Sequence, residues 1–342
     1  TVFSGCKNIA KGADNGKINV VSTIFAPYDF ARQVVGDKAN LKMLLPPGSE
    51  SHSYEPTPQD IITIEKCDVF IYVGGDSDEW VKEILSSIDM KDKQVVTLMD
   101  CVETVEEEVV EGMEDAHEHE GEEHSEEEHT DEHTEEEHSD EHAEEEHSDE
   151  HADEDHEHEG ELDEHVWTSP RNAKLITQKI SDAIQAEDTA NAETYKKNTT
   201  DYLAKLDELD NKFKEVVANG TRTEIIMGDR FPFRYFADAY GLSYYAAFTG
   251  CSTETEASAA TISFLIDKTA KDEIPIIFHI ELSNEKIAKT VAEGAKDKNG
   301  GKDVKVLLLH SCHNVTKSDF EGGATYLTLM EKNVETLKTA LS

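Results

Sequence analysis

The feature that most limits what this chain can fold into is an alternation. From Lys17 onward, short apolar, β-branched runs take turns with longer amphipathic segments, which is the pattern of strand and helix units in a parallel sheet. Four strands are predicted near 18–22, 41–45, 69–73 and 94–98, separated by helices near 27–35, 58–66 and 78–87. Thr57-Pro58 is a good helix opening, a capping hydroxyl followed by the residue that tolerates the first helical position. Ser169-Pro170 opens a long helical stretch, with interruptions, that ends at Asn219-Gly220. A second set of four strands follows near 223–227, 243–248, 274–280 and 304–309, with a closing helix over 325–341. The fold class is therefore α/β: two α/β lobes with central parallel sheets, joined by one long helix. The length of 342 residues suits two such lobes. The divisions are a tether over 1–17, an amino-terminal lobe over 18–168, a bridging helix over 169–219 and a carboxyl-terminal lobe over 220–342.

Between the two strand sets lies a segment of another kind. The formal net charge is −43, yet 34 acidic residues and no Lys or Arg fall between Glu103 and Glu164, which leaves −9 for the rest. The body is thus mildly acidic, and the segment is a polyelectrolyte with no affinity for nucleic acid or an anionic membrane. A nine-residue repeat runs through it, EEEHTDEHT from Glu126 and EEEHSDEHA from Glu135 and again from Glu144. Eleven of the 16 histidines sit there: His117, His119, His124, His129, His133, His138, His142, His147, His151, His156 and His158. With almost no apolar residue to offset chain ordering, 103–164 is expected to be disordered without metal. A solvated acidic spacer needs no histidine. Imidazole beside carboxylate is a natural weak site for zinc, copper or nickel, so these residues are auxiliary ligands.

Ligands of open parallel sheets bind beyond the carboxyl ends of the strands. The other five histidines lie at or near such ends: His52 in GSESHSYEPTPQD, His165 in DEHVWTSP, His279 at a strand end, and His310 and His313 in LLLHSCHNV. Any one of them alone reads as a surface or structural histidine. Convergence of His52, His165, His310 and His313 from two lobes is a metal-site pattern. His279 reads as a partly buried strand-end histidine, and Tyr235, Phe236, Tyr244 and Tyr245 as core packing. Trp167, beside His165, is placed to shield an ion from water.

The segments GSESHSYEPTPQD, EHVWTSP, RYFADAYGLSYYAAF and ATYLTLMEKNVETLKTAL resemble, in order from about residue 18 to the end, the cluster A-I solute-binding proteins of zinc and manganese ABC importers. The resemblance implies two lobes bridged by a long helix, a metal in the cleft between them, and a His-rich acidic loop before the second ligand in zinc-type members. Carried onto this chain, it makes His52 the first ligand and His165 the second. It places the third at Arg230, ten residues before Tyr240 of the YGL motif, where a guanidinium cannot ligate a metal. The fourth aligns with His310, and His313 lies three residues on. Asp229 and Arg230 are read as possible support for the site, with Arg230 pairing with Glu254 or Glu256.

A set of nitrogen ligands favours zinc over manganese, which prefers carboxylates. The implied role is capture of zinc outside the membrane and delivery to an ABC permease with its ATPase, by a monomer that performs no reaction. The alternatives are a surface adhesin or metal buffer, and a zinc hydrolase, for which the sequence offers no HExxH motif and no evident general base. No run of 18 or so apolar residues is present to span a bilayer. Thr1 to Cys6 is similar to the end of a bacterial lipoprotein signal, with Cys6 the acylated residue, so a lipid anchor on a Gram-positive surface is expected. Cys67 with Cys101 and Cys251 with Cys312 are possible disulfides in an exported chain.

Overall fold

The computed structural model describes residues 16–50, 54–113, 161–253 and 256–342. Cys6, His52, Glu254 and the eleven repeat-segment histidines lie outside them. The amino-terminal sheet has the order β2-β1-β3-β4 and is wholly parallel, with β1 at Asn19–Ser22, β2 at Asn40–Met43, β3 at Val69–Tyr72 and β4 at Gln94–Thr97. The carboxyl-terminal sheet repeats it as β6-β5-β7-β8, from β5 (Glu224–Phe231), β6 (Ser243–Thr249), β7 (Ile276–His279) and β8 (Lys305–Leu308). Helices α1 (Phe25–Val35), α2 (Pro58–Lys66) and α3 (Glu79–Ser87) connect the first set. Thr57 caps α2 as its sequence promises: its hydroxyl accepts from Asp60 N, and the Asp60 carboxylate accepts from Thr57 N.

The strands are apolar on both faces because both faces are covered. Val20, Val69 and Ile71 turn inward to the large central core, while Val21, Phe70 and Tyr72 face α2 and α3. In the second lobe Ile225, Met227 and Phe278 face the central core. Ile226 and Ile277 pack beneath α7 (Ala259–Lys271) and α8 (Lys286–Lys298). The two inner faces share one core built around α4 (Pro170–Glu187) and α5 (Ala192–Ala218).

The helical stretch expected over 169–219 is thus two helices that pack on each other. The break falls at Asp188, whose carboxylate takes Asn191 Nδ2 at 2.8 Å and the Tyr195 hydroxyl at 2.6 Å and so stabilises the turn. The 27-residue α5, about 40 Å long, packs against α1 of one lobe and α6 (Arg234–Tyr240) and α10 (Tyr326–Leu341) of the other. No described helix is long and apolar enough to cross a membrane.

Two expectations change. Residues 103–113 and 161–164 are not part of a structureless loop. Glu107 N donates to Glu161 O, Asp163 N donates to Val105 O, and Glu106 pairs with Leu162 in an antiparallel bridge. Val105, Val110 and Met113 pack against the central core. This strap crosses onto the second lobe, where Glu108 takes the Tyr244 hydroxyl and lies 3.5 Å from Arg234.

The anticipated disulfides are also absent, all four thiols being free. Cys67 enters β3 at its amino end, whereas Cys101 lies beyond the carboxyl end of the adjacent parallel β4. Cys251 follows β6 and Cys312 follows β8, the two outer strands of one sheet, about 14 Å apart at the usual strand spacing. A disulfide needs Cα atoms within about 7 Å.

One buried carboxylate ties the lobes together. Asp29 on α1 is fully buried, pairs with Arg32 at 2.6 Å and accepts the Tyr326 backbone N–H at 2.7 Å, at the positive end of α10. Asp29→Ala removes the shared acceptor of Arg32, Gln33 and the Tyr326 backbone N–H and is expected to cost about 3 kcal/mol of unfolding free energy, read from the urea midpoint. Asp29→Asn, which keeps an acceptor for Tyr326, should lose less.

Candidate metal centre

The carboxyl ends of both sheets face each other across a cleft lined by Ser49, Glu50, His165, Arg230, Glu281 and His313, among others. His165 arrives on the returning arm of the strap, immediately before a 3-10 turn at Val166–Thr168 that leads into α4. The imidazole is 1% exposed. Asp163 Oδ1 accepts the His165 backbone N–H at 2.8 Å and lies 3.2 Å from Nδ1. An Asp163 carboxylate on Nδ1 fixes the tautomer and leaves Nε2 as the donor atom. Burial alone would lower the His165 pKa, but Asp163, Glu164 and Glu107 raise it above the ordinary histidine value.

His313 comes from the other lobe. Its ring centre is 5.4 Å from that of His165 and nearly perpendicular to it, and 5.0 Å from that of Trp167. The fully buried Trp167 forms the floor: its Nε1 donates to Ser311 O at 2.8 Å, and its own carbonyl accepts the Tyr326 hydroxyl at 2.8 Å. Glu281, just past β7, holds the 311–313 turn by accepting Ser311 N, Ser311 Oγ and His313 N.

His310 goes elsewhere. Cys312 has φ +60, a left-handed conformation rare for a residue with a side chain, and it reverses the chain between the two histidines. His310 Nδ1 accepts Cys312 N–H at 3.0 Å, and its backbone is held on both sides by Asn333 of α10. It is absent from the cleft lining, so the residue that meets His165 is His313. His279 is a satisfied strand-end side chain, with Nδ1 2.9 Å from Ile280 O and Nε2 3.7 Å from Glu285.

β5 runs further than its apolar run suggests, with a register shift between Met227 and Arg230 that carries Arg230 to the cleft. Asp229 turns away to accept Arg230 N and Ile280 N. Of the two glutamates expected to pair with Arg230, Glu256 is not its partner among the described residues, and Glu254 lies outside them. The guanidinium reaches across the cleft to Glu50 at 3.2 Å and also donates to Ser252 O.

Asp163, Glu50 and Glu281 escaped the sequence reading. Asp163 is one acid among 34, and only its register two residues before His165 distinguishes it. The aromatic group packs as expected: Tyr244 stacks on Phe231 at 3.6 Å, Phe236 meets Phe213 edge-on, and Tyr235 donates to Asp163 O.

The family described as ZnuA, zinc-uptake complex component A, periplasmic, matches residues 20–340. The zinc-binding lipoprotein AdcA of Streptococcus pneumoniae (strain ATCC BAA-255 / R6) is 30% identical over 97% of this chain, which spans only 57% of that relative. The high-affinity zinc uptake system protein ZnuA of Bacillus subtilis (strain 168) is 29% identical over 95% of this chain and 88% of its own length. Among solved structures, the zinc-bound ZnuA-like domain of Streptococcus pneumoniae AdcA superposes with a TM-score of 0.67 at 25% identity, covering 95% of this chain and 99% of that one. The periplasmic zinc-binding protein TroA of Treponema pallidum shares the fold at TM-score 0.71 and 20% identity, over 96% and 100% of the two chains.

A buried acid behind the cleft gives a pH test. Asp78 is 7% exposed, and burial pushes its carboxyl up to about 7 despite backbone donors from Val73 and Gly74. The unfolded chain ionises this group near 3.8 while the folded one keeps its proton to about 7. Its contribution is therefore present at low pH and lost as pH rises through that window, with a slope of at most about 1.4 kcal/mol per pH unit. Asp78→Asn should remove this component, so that stability of the native chain relative to the variant declines between those two values in urea titrations.

Proposed function

Because this chain belongs to the ZnuA family of zinc-uptake components, we propose that it captures zinc in the interlobe cleft and hands it to an ABC permease with its ATPase. The observation that carries the proposal is the meeting of two imidazoles from different lobes, His165 and His313, edge to face over the Trp167 floor with Asp163 on the outer nitrogen of His165. Paired imidazoles in a buried, carboxylate-supported setting suit zinc better than manganese. His52, two residues beyond Glu50 in sequence, is proposed as a third nitrogen donor, and Arg230 as the clasp that holds Glu50 over the mouth. His310 shapes the turn that presents His313. The repeat-segment histidines act as weak auxiliary sites that raise the ion concentration near the cleft. Attachment to the outer face of a membrane through acylated Cys6 keeps the chain near its permease.

Calorimetric zinc titration tests the assignment. His165→Ala or His313→Ala should each weaken the tight site by more than about 100-fold, beyond what loss of a supporting group costs, whereas Asp163→Asn should cost about 10- to 100-fold. An unchanged tight site in both histidine variants would overturn it. Deleting 115–160 is expected to leave one tight site and to remove several weak ones, and loss of the tight site would assign the affinity to the repeat segment instead.

A further inference from the structure

At the root of the acidic segment three other ligand atoms converge. The Cys251 thiol and carboxylate oxygens of Glu107 and Glu161 all lie within 4.8 Å of one another. They come from three separate stretches: Glu107 from the outgoing arm of the strap, Glu161 from its returning arm, and Cys251 from the turn after β6 in the second lobe. The arrangement is held from behind. Glu107 Oε1 accepts Cys251 N–H at 2.7 Å, and Glu107 N–H is bonded to Glu161 O, so the backbones are in register before any ion arrives.

The charge balance is one-sided. Glu107 and Glu161 have no Lys or Arg in ion-pair contact among the described residues, while partial burial and then the charges of Glu107, Asp76 and Glu164 push the Glu161 carboxyl above its ordinary value. The nearest strap arginine contact belongs to Glu108, not to Glu107.

We propose that Cys251, Glu107 and Glu161 form a second cation site, selective for thiophilic divalent ions of the zinc and cadmium class. The mixed sulfur and oxygen donors exclude magnesium and manganese as preferred occupants. Zinc bonds of about 2.0 to 2.3 Å would draw the donors to roughly 3.5 Å apart, a contraction that the exposed Glu161 side chain can supply by rotation. On binding, the Cys251 thiol proton goes to solvent and the sulfur bonds to the metal, with water free to complete the shell.

Location gives the site its use. Gly250, next to Cys251, packs so tightly that a Cβ there would lie 3.1 Å from Asp163 Oδ2 and 3.2 Å from His165 Nδ1. An ion held by Cys251 therefore sits between the root of the repeat segment and the cleft histidine, and it pins the strap of one lobe to the other lobe. The site shares no donor with the cleft, so it stands or falls apart from the cleft assignment.

The test uses the full chain with Cys6→Ser, titrated with cadmium and read by the ultraviolet thiolate-to-metal charge-transfer band. The cleft and the repeat segment offer only nitrogen and oxygen donors, so the band reports cysteine alone. It is expected in the parent and in Cys101→Ser, and absent in Cys251→Ser, while the tight zinc site of Cys251→Ser persists by calorimetry. Glu107→Gln with Glu161→Gln leaves the thiol in place and should weaken the band-forming affinity at least tenfold. That double variant decides the matter should Cys251→Ser fail to fold. A band that survives Cys251→Ser, no band in the parent at saturating cadmium, or an unchanged affinity in the double variant would overturn the proposal.

Discussion

Trp167 is the side chain on which the cleft depends. It sits fully buried between the lobes, with its indole N–H on the Ser311 carbonyl and its own carbonyl on the Tyr326 hydroxyl. One residue thereby sets the turn that carries His165 against the turn that carries His313. Each bond is buried, so separating the lobes there would break both and expose the apolar indole to water. The cost of such separation makes the histidine pair a property of the closed arrangement of both lobes.

The same logic extends outward. Asp29 anchors α10 to α1, α5 lies along both lobes, and the strap lays Val105, Glu107 and Glu108 across the second lobe. Arg230 adds a link at the solvent edge by reaching Glu50. Several of these contacts join an amino-terminal segment to a carboxyl-terminal one through charge-assisted hydrogen bonds, the stronger kind. Lobe motion in such a molecule has to break them together.

Strand and helix positions were nearly all legible, because strands covered on both faces must be apolar throughout and the helices between them carry recognisable caps. β3 and β4 fall within a residue of their expected ends. β5 is the exception: it runs four residues past its expected end, through the polar pair Asp229 and Arg230, of which Arg230 lines the cleft, to the buried Phe231. The acidic arms of the strap were misread for a related reason. Composition averages over a segment, and Val105, Val110 and Met113 are enough to hold its outgoing arm on the core.

Local chemistry thus determined the two parallel sheets, the long helices and the histidines at strand ends, since propensity, capping and burial act over a few residues. Which histidine faces which was decided only in three dimensions. His310 and His313 are indistinguishable by type and spacing, and the left-handed backbone at Cys312 sends one beneath α10 and the other to His165. The partners of Arg230, the free thiols and the meeting of Cys251 with Glu107 and Glu161 follow likewise from sheet order and strap path. Contacts between residues more than a hundred positions apart depend on packing that no local pattern encodes.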